Sequence, residues 1–151
     1  MAEVRVQEQA FDPAAEQRAG AIGPDVGAVL TFVGHVRGSE GVEEMILEHY
    51  PGMTEREIAR IASEAERRWP LLGCRIVHRY GRMRPGEPIV LVRTAAAHRK
   101  AAFEAAEFLI DWLKTRAPFW KCEITAAGRR WVEARESDDR AAARWQEEPP
   151  R

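Results

Sequence analysis

The stretch HRKAAFEAAEFLIDWLKTRAPFWKCE, residues 98–123, holds a long helix, its stop and the strand that follows. Residues 98–116 read as one helix, and Pro118 ends it because proline lacks an N–H and its ring clashes with the preceding turn. Phe103, Ala106, Ile110 and Leu113 recur at helical spacing and are expected to form the buried stripe. FWKCE then alternates as a strand, with Lys121 and Glu123 on one face and Trp120 and Cys122 on the other. At 100° per residue Lys114 lies about 40° from Ile110 and on the side of Phe103. Lys114 is therefore expected at the end of the core-facing stripe. The short turn TRAPFW holds helix and strand together, so the two ammonium groups are expected to converge on one partly apolar hollow.

Two readings of that pair stay open on local geometry. Lys114 can lay its stem over the helix end, where the C-terminal dipole favours its charge. Alternatively, desolvation beside a second cation favours the neutral amine, which suits a nucleophile or general base.

Working outward, PIVLVRTAA (88–96) is apolar on both faces over Ile89–Val92 and reads as a central strand. CRIVHRYG (74–81) is a strand before it. PGMTEREIARIASEAERRW (51–69) reads as a helix with Thr54 as N-cap, Glu57 closing a capping box, and Met53 stapling onto Ile58. Ile58, Ile61, Ala62, Ala65 and Trp69 form its apolar stripe, and Pro70 ends it. GAVLTFVGHVR (27–37) alternates as a strand, and EEMILEHY (43–50) as another, joined by the Gly-marked loop RGSEG. FWKCEITAAGRRWVEA (119–134) closes the fold as a hairpin around AAG.

The 151 residues are expected to form a single domain, with 136–151 a charged surface tail that frays. Apolar residues make up 45% and charged residues 31% of the chain, ordinary for a globular protein. A net charge of −1 argues against a general nucleic-acid binder. No run approaches the roughly 20 apolar residues of a membrane span, and no signal-peptide core opens the chain. Cys74 and Cys122 are too few for a disulfide framework, so a cytoplasmic setting is expected.

Other polar residues also mark candidate chemistry. His35 and Arg37 share a strand face about 7 Å apart beside a Gly loop, an arrangement open to an anion and equally to solvent. His98 and Arg99 begin a helix, where backbone N–H groups favour anions, although solvated polar residues are common there too. His49, His78 and Cys122 read as structural. No P-loop, Gly-rich dinucleotide turn, Ser-His-Asp order or metal-ligand spacing occurs. Arg99 and Lys114 are about 22 Å apart along their helix. If both touch one small ligand, the simpler solution is a two-fold interface with Arg99 supplied by a neighbouring chain.

TFVGHVRG, LEHYPGMTEREI, AHRKAAFEAAEFLIDWLKTRAPFWKCE and RWVEARESD closely resemble the catalytic (large) subunit of molybdopterin synthase, over about residues 26–145. The resemblance implies an α/β (α+β) hammerhead fold with an additional antiparallel β-sheet, and a homodimer within a heterotetramer. It implies a small ubiquitin-like sulfur-carrier subunit whose C-terminal Gly-Gly thiocarboxylate enters the pocket. It also implies transfer of two sulfurs to cyclic pyranopterin monophosphate, making the molybdopterin dithiolene, with no cofactor or metal in the enzyme. By motif, His35, Val36, Arg37, His98, Arg99, Lys114, Lys121, Cys122 and Glu123 would contact substrate. Lys114 would be the key lysine and Lys121 its support, with His98 and Arg99 coming from the partner protomer. Two other function classes are a lysine Schiff-base enzyme on a small carbonyl compound, and a non-catalytic anion- or nucleotide-binding module.

Overall fold

Apolar alternation and helical periodicity place most elements where the sequence reading put them. A computed structural model of the chain describes residues 2–20, 22–132 and 136–146. In order they are β1 (Glu3–Gln7), α1 (Pro13–Arg18), β2 (Ala28–His35), β3 (Glu44–His49), α2 (Met53–Arg68), β4 (Leu71–Arg79), β5 (Gly81–Met83), β6 (Pro88–Ala96), α3 (Arg99–Thr115), β7 (Phe119–Thr125), β8 (Gly128–Val132) and α4 (Glu136–Ala143). A 3-10 turn, Arg144–Gln146, follows α4.

The strands form two four-stranded sheets, ordered β1-β4-β6-β2 and β5-β3-β7-β8. In the first, only β1 and β4 run parallel. The second is antiparallel throughout, as the expected additional sheet should be. β6 is interior to its sheet, which accounts for the unbroken apolar run Ile89–Val92. Helix α2 packs over β1 and β4, while α3 packs over β6 and β2. Between these layers Ile58, Ile61, Ala62, Ala65 and Trp69 meet Ile76, Val92, Ala105, Phe108 and Leu109 in the main core. Each fully buried Ile or Leu there is worth about 1.5–3 kcal/mol relative to exposure. A second cluster, Val36, Met45, Leu47 and Met83, seats the first sheet's end on the second sheet, with Phe119 packed against both clusters.

Helix α1 was not singled out in the sequence. Asp12 caps its N-terminus by accepting from Ala14 N at 3.0 Å. At its other end Arg93 Nη1 donates to the carbonyls of Glu16, Gln17 and Ala19, occupying acceptors that a helix terminus leaves open.

Three expectations are corrected. Helix α2 starts at Met53 with Gly52 as N-cap, not Thr54, and Glu55 Oε2 accepts from Gly52 N at 2.6 Å. Gly52 has φ of 84°, a left-handed backbone that glycine adopts without strain. Thr54 lies inside the helix, buried, with Oγ1 donating to Tyr50 O at 2.8 Å. Glu57 pairs with Arg60 instead, and Met53 is 43% exposed rather than stapled into the core. Second, Phe103 is 56% exposed; the buried face of α3 is Ala102, Ala105, Ala106, Phe108 and Leu109. Third, the expected fraying tail is helical over 136–143, and Trp145 packs on Trp69 and Phe108. Residues 133–135 and 147–151, which include the end of the expected closing strand, lie outside the described residues.

Candidate active site

The end of β2 bulges between Gly34 and His35. Beyond it, Val36 N donates to Glu87 O at 2.9 Å and Gly86 N donates to Val36 O at 2.8 Å. His35 Nδ1 lies 2.9 Å from Gly86 O. A carbonyl only accepts, so Nδ1 carries the proton and Nε2 is the free ring nitrogen. Val36 is buried among Met45, Leu47 and Met83, and this anchors Arg37, which is exposed, at the rim of the second sheet.

Lys114 stands in the last turn of α3 and is exposed. Arg116 N and Ala117 N both donate to Trp112 O, and Phe119 N donates to Ala117 O at 2.7 Å. That tight turn delivers the chain into β7. Lys121 sits there, exposed, opposite Leu47 on β3 and Val132 on β8. Since directly opposed residues share a face, Lys121 lies on the same face as Leu47, which contacts the cluster that holds Val36. The segments 35–37, 114 and 121–123 are therefore gathered at one end of the molecule.

Glu123 is on that face too, and its Oε1 accepts from Arg130 Nη2 at 3.0 Å. Arg130 was missed in the sequence, although the hairpin register Glu123↔Arg130 follows once the turn at 126–127 is placed. Cys122 is 1% exposed on the opposite face, between Ile46 and Trp131. Its thiol is core, and only its backbone adjoins Lys121. Beneath this region lie groups that the sequence marked only as structural. His78 stacks on Phe119, and His49 contacts Tyr80 at 4.2 Å and Thr54 Oγ1 at 3.0 Å.

His98 and Arg99 are at the other end. His98 is the N-cap of α3, and the first turn carries no acidic residue. Gly27 abuts this corner, where a Cβ would come within 2.2 Å of Ala97 O, so no side chain fits. Two independent lengths separate this corner from the lysines. Arg99 to Lys114 is about 22 Å of helix, and Ala28 to His35, alongside, is about 23 Å of strand.

Within the single chain Lys114 and Lys121 are both exposed, not enclosed in the dry hollow expected around them. Lys114 shares a helix flank with Phe103 and Ile110, and lies about 150° round the helix from the buried direction of Ala102, Ala105 and Leu109. Two hollows, of about 590 and 480 Å³, are lined elsewhere, one beside α1 and one between α2, α3 and Trp145. Arg37, Arg99, Lys114 and Lys121 have no carboxylate partner among the described residues. Among those residues no cluster of His, Cys, Asp and Glu is arranged to hold a metal, and no helix is long and apolar enough to cross a membrane.

Comparison with known proteins bears on this arrangement. Residues 6–116 match the family described as MoaE protein. The molybdopterin synthase catalytic subunit of Pseudomonas aeruginosa is 57% identical over 148 residues, covering 95% of this chain and 99% of its own. The structure of the molybdopterin biosynthesis MoaE protein from Burkholderia ambifaria superposes with a TM-score of 0.81 at 52% identity, covering 98% of this chain and all of that one. A protein–protein complex of subunits 1 and 2 of molybdopterin-converting factor from Helicobacter pylori has the same fold, with a TM-score of 0.71 at 23% identity, over 87% of this chain and 91% of that one.

Proposed function

The chain belongs to the MoaE protein family, and from that premise we propose that it is the catalytic subunit of a molybdopterin synthase. It acts as a sulfurtransferase in molybdenum cofactor biosynthesis, in the cytoplasm. Two sulfurs pass in succession, each from the Gly-Gly thiocarboxylate of a small ubiquitin-like carrier, to cyclic pyranopterin monophosphate, and the product is a dithiolene. The assembly is a homodimer with a carrier at each end.

The observation that carries this reading is the pair of cations, Lys114 and Lys121, which have no carboxylate partner among the described residues and stand on either side of the tight turn at the end of α3. Donor and acceptor are both anions, and bringing them together in a poorly hydrated site is costly unless fixed cations flank them. Arg37 on one side, with His98 and Arg99 from the second chain, hold phosphate and pterin. Lys114 meets the carrier's tail, stabilises the tetrahedral intermediate at the thioacyl carbon and moves protons. Lys121 adds positive potential on the face that Val36 and Leu47 hold in place. Glu123, already engaged by Arg130, orients rather than reacts. Cys122 contributes backbone only.

The test is reconstitution with the pyranopterin precursor and thiocarboxylated carrier. Dithiolene product is expected, and Lys114→Ala should lower the rate by about 10²–10³. Near-normal product from Lys114→Ala would contradict the assignment. Borohydride trapping of Lys114 with a small carbonyl substrate would favour the Schiff-base chemistry instead.

A further inference from the structure

We propose that Arg79 is a positioning residue for the candidate site: through the Glu87 carboxylate it holds the turn 84–87, and that turn fixes the backbone that presents Arg37. The inference rests on the functional reading above in one respect only, that Arg37 grips the anionic pterin substrate.

β4 ends in a buried cation. The Arg79 side chain is 8% exposed, and a guanidinium does not shed its charge on burial. A buried charge calls for an opposite charge close by. Arg79 Nε donates to Glu8 O at 3.0 Å, which ties it to the chain beyond β1 but leaves the charge unbalanced. Among the described residues Nη1 makes no hydrogen bond, and the carboxylate facing it is that of Glu87, with Oε2 at 3.6 Å. Arg93, also buried, is engaged by the carbonyls at the end of α1, and Arg75 meets Glu3 and Glu16. Of these three arginines, it is Arg79 whose partner lies in the turn between β5 and β6.

Glu87 couples that charge to the turn. The same Oε2 accepts from Arg84 N at 2.7 Å, and Glu87 N donates to Arg84 O at 3.1 Å. Pro85 followed by Gly86, with φ of 92°, suits the corner of a type II turn. The turn then holds the end of β2. Glu87 O and Gly86 N engage both backbone groups of Val36, and Gly86 O meets His35 Nδ1. Past Arg37 the contact resumes, because a Cβ on Gly38 would come within 3.1 Å of Pro85 Cβ. Arg37 is thereby bracketed on both sides by the same turn. β2 itself ends at His35, so the turn rather than the sheet sets where the Arg37 backbone stands. A displacement of about 1 Å in such an anchor can weaken a site by up to about 100-fold.

Charge alone predicts the opposite outcome. Glu87 is an anion on a turn beside an anion-binding arginine, so deleting its charge would by field alone strengthen substrate binding. A positioning role predicts that the same deletion weakens it.

Steady-state kinetics of sulfur transfer by the full chain with thiocarboxylated carrier, alongside amide hydrogen exchange at Val36 and Gly86, test the link. Glu87→Gln keeps an oxygen for Arg84 N and removes only the charge. It should raise KM for the pyranopterin about tenfold, while kcat and KM for the carrier stay within about twofold. The Val36 and Gly86 amides should exchange at least about tenfold faster, with the urea midpoint unchanged. In an Arg37→Ala background, adding Glu87→Gln should change KM by less than about twofold, because both act through one side chain. Arg79→Lys, which keeps a cation facing Glu87, should hold a lower KM than Arg79→Gln. If Arg79→Gln fails to fold, Glu87→Gln decides alone, since that side chain is half exposed. A lower or unchanged KM in Glu87→Gln overturns the proposal, as do a raised KM with unchanged exchange and additive effects with Arg37→Ala. A fall in kcat together with the urea midpoint also overturns it and makes the pair structural only. If wild type forms no dithiolene, the functional reading fails, and exchange at Val36 and Gly86 then decides by itself whether Arg79 and Glu87 hold this backbone.

Discussion

His78 lies face to face with Phe119, ring centroids 4.0 Å apart and planes within 16°, so a buried imidazole on β4 supports the strand that carries Lys121 two residues on. Burial pushes the His78 pKa down from 6.5 to about 4, with the hydrogen bond to Arg79 O opposing and His49 adding slightly. The neutral ring is therefore the folded form. Between about pH 6.5 and 4 the unfolded chain binds a proton that the folded chain does not. Stability attributable to this residue is intact above pH 6.5 and falls by up to about 3 kcal/mol as pH drops toward 4. His78→Phe, which keeps a ring against Phe119, should lose less stability than wild type between pH 7 and 5 in urea titrations. Equal losses would show that His78 is not the group that titrates.

Lys121→Ala should separate chemistry from stability. The side chain is exposed and has no ion pair among the described residues, so the unfolding free energy should move by no more than about 0.5 kcal/mol. Sulfur transfer should fall by about tenfold or more, reflecting a lost electrostatic contribution. A large drop in melting temperature would instead make Lys121 a structural residue.

A site completed in trans predicts complementation. Arg99→Ala and Lys114→Ala chains should each be poorly active alone. Unfolded and refolded together in equal amounts, half the dimers are mixed, and each mixed dimer holds one intact site. About a quarter of wild-type activity should return. No recovery, with mixed dimers demonstrated by mass, would place both residues in one chain's own site.

The start of α2 tests the corrected cap. Glu55→Ala removes the acceptor for Gly52 N and should cost about 0.5–2 kcal/mol. Thr54→Val leaves Tyr50 O and His49 Nδ1 without the buried hydroxyl and should cost about 1–3 kcal/mol. Glu57→Ala should cost less than either, because Glu57 meets only Arg60 on the surface. Chemical denaturation of the three variants ranks them directly.

Trp145→Ala probes whether the C-terminal segment belongs to the fold. Trp145 Nε1 donates to Asp111 Oδ2 at 2.6 Å, and its ring meets Trp69 and Phe108. Arg68 Nη1 also donates to Trp145 O. The variant should lose about 2–4 kcal/mol. An unchanged melting temperature would mean that the segment only rests on the surface.

Much of this architecture is written in local patterns. The period-two runs of β2, β3, β6 and β7, the stripe from Ile58 to Trp69 and the stop at Pro118 depend on near neighbours, so one chain read linearly reveals them. The errors share a cause. Thr54 looked like a cap because the sequence does not show that Gly52 already turns the chain with a positive φ. Phe103 and Lys114 looked buried because helical periodicity locates an apolar stripe without saying what covers it. Trp145 looked like tail because its partners are 76 and 37 residues away along the chain.

By itself the sequence determined the elements, the family and the identity of the cations, since each of these is carried by residue types at short spacing. Only the tertiary structure decided where those cations stand. It gathers His35, Arg37, Lys114 and Lys121 at one end, leaves His98 and Arg99 at the other, and exposes Phe103 on the flank between them. The physical reason is that a helix of this length and the strand beside it are rigid rods. Neither bends to bring its two ends together.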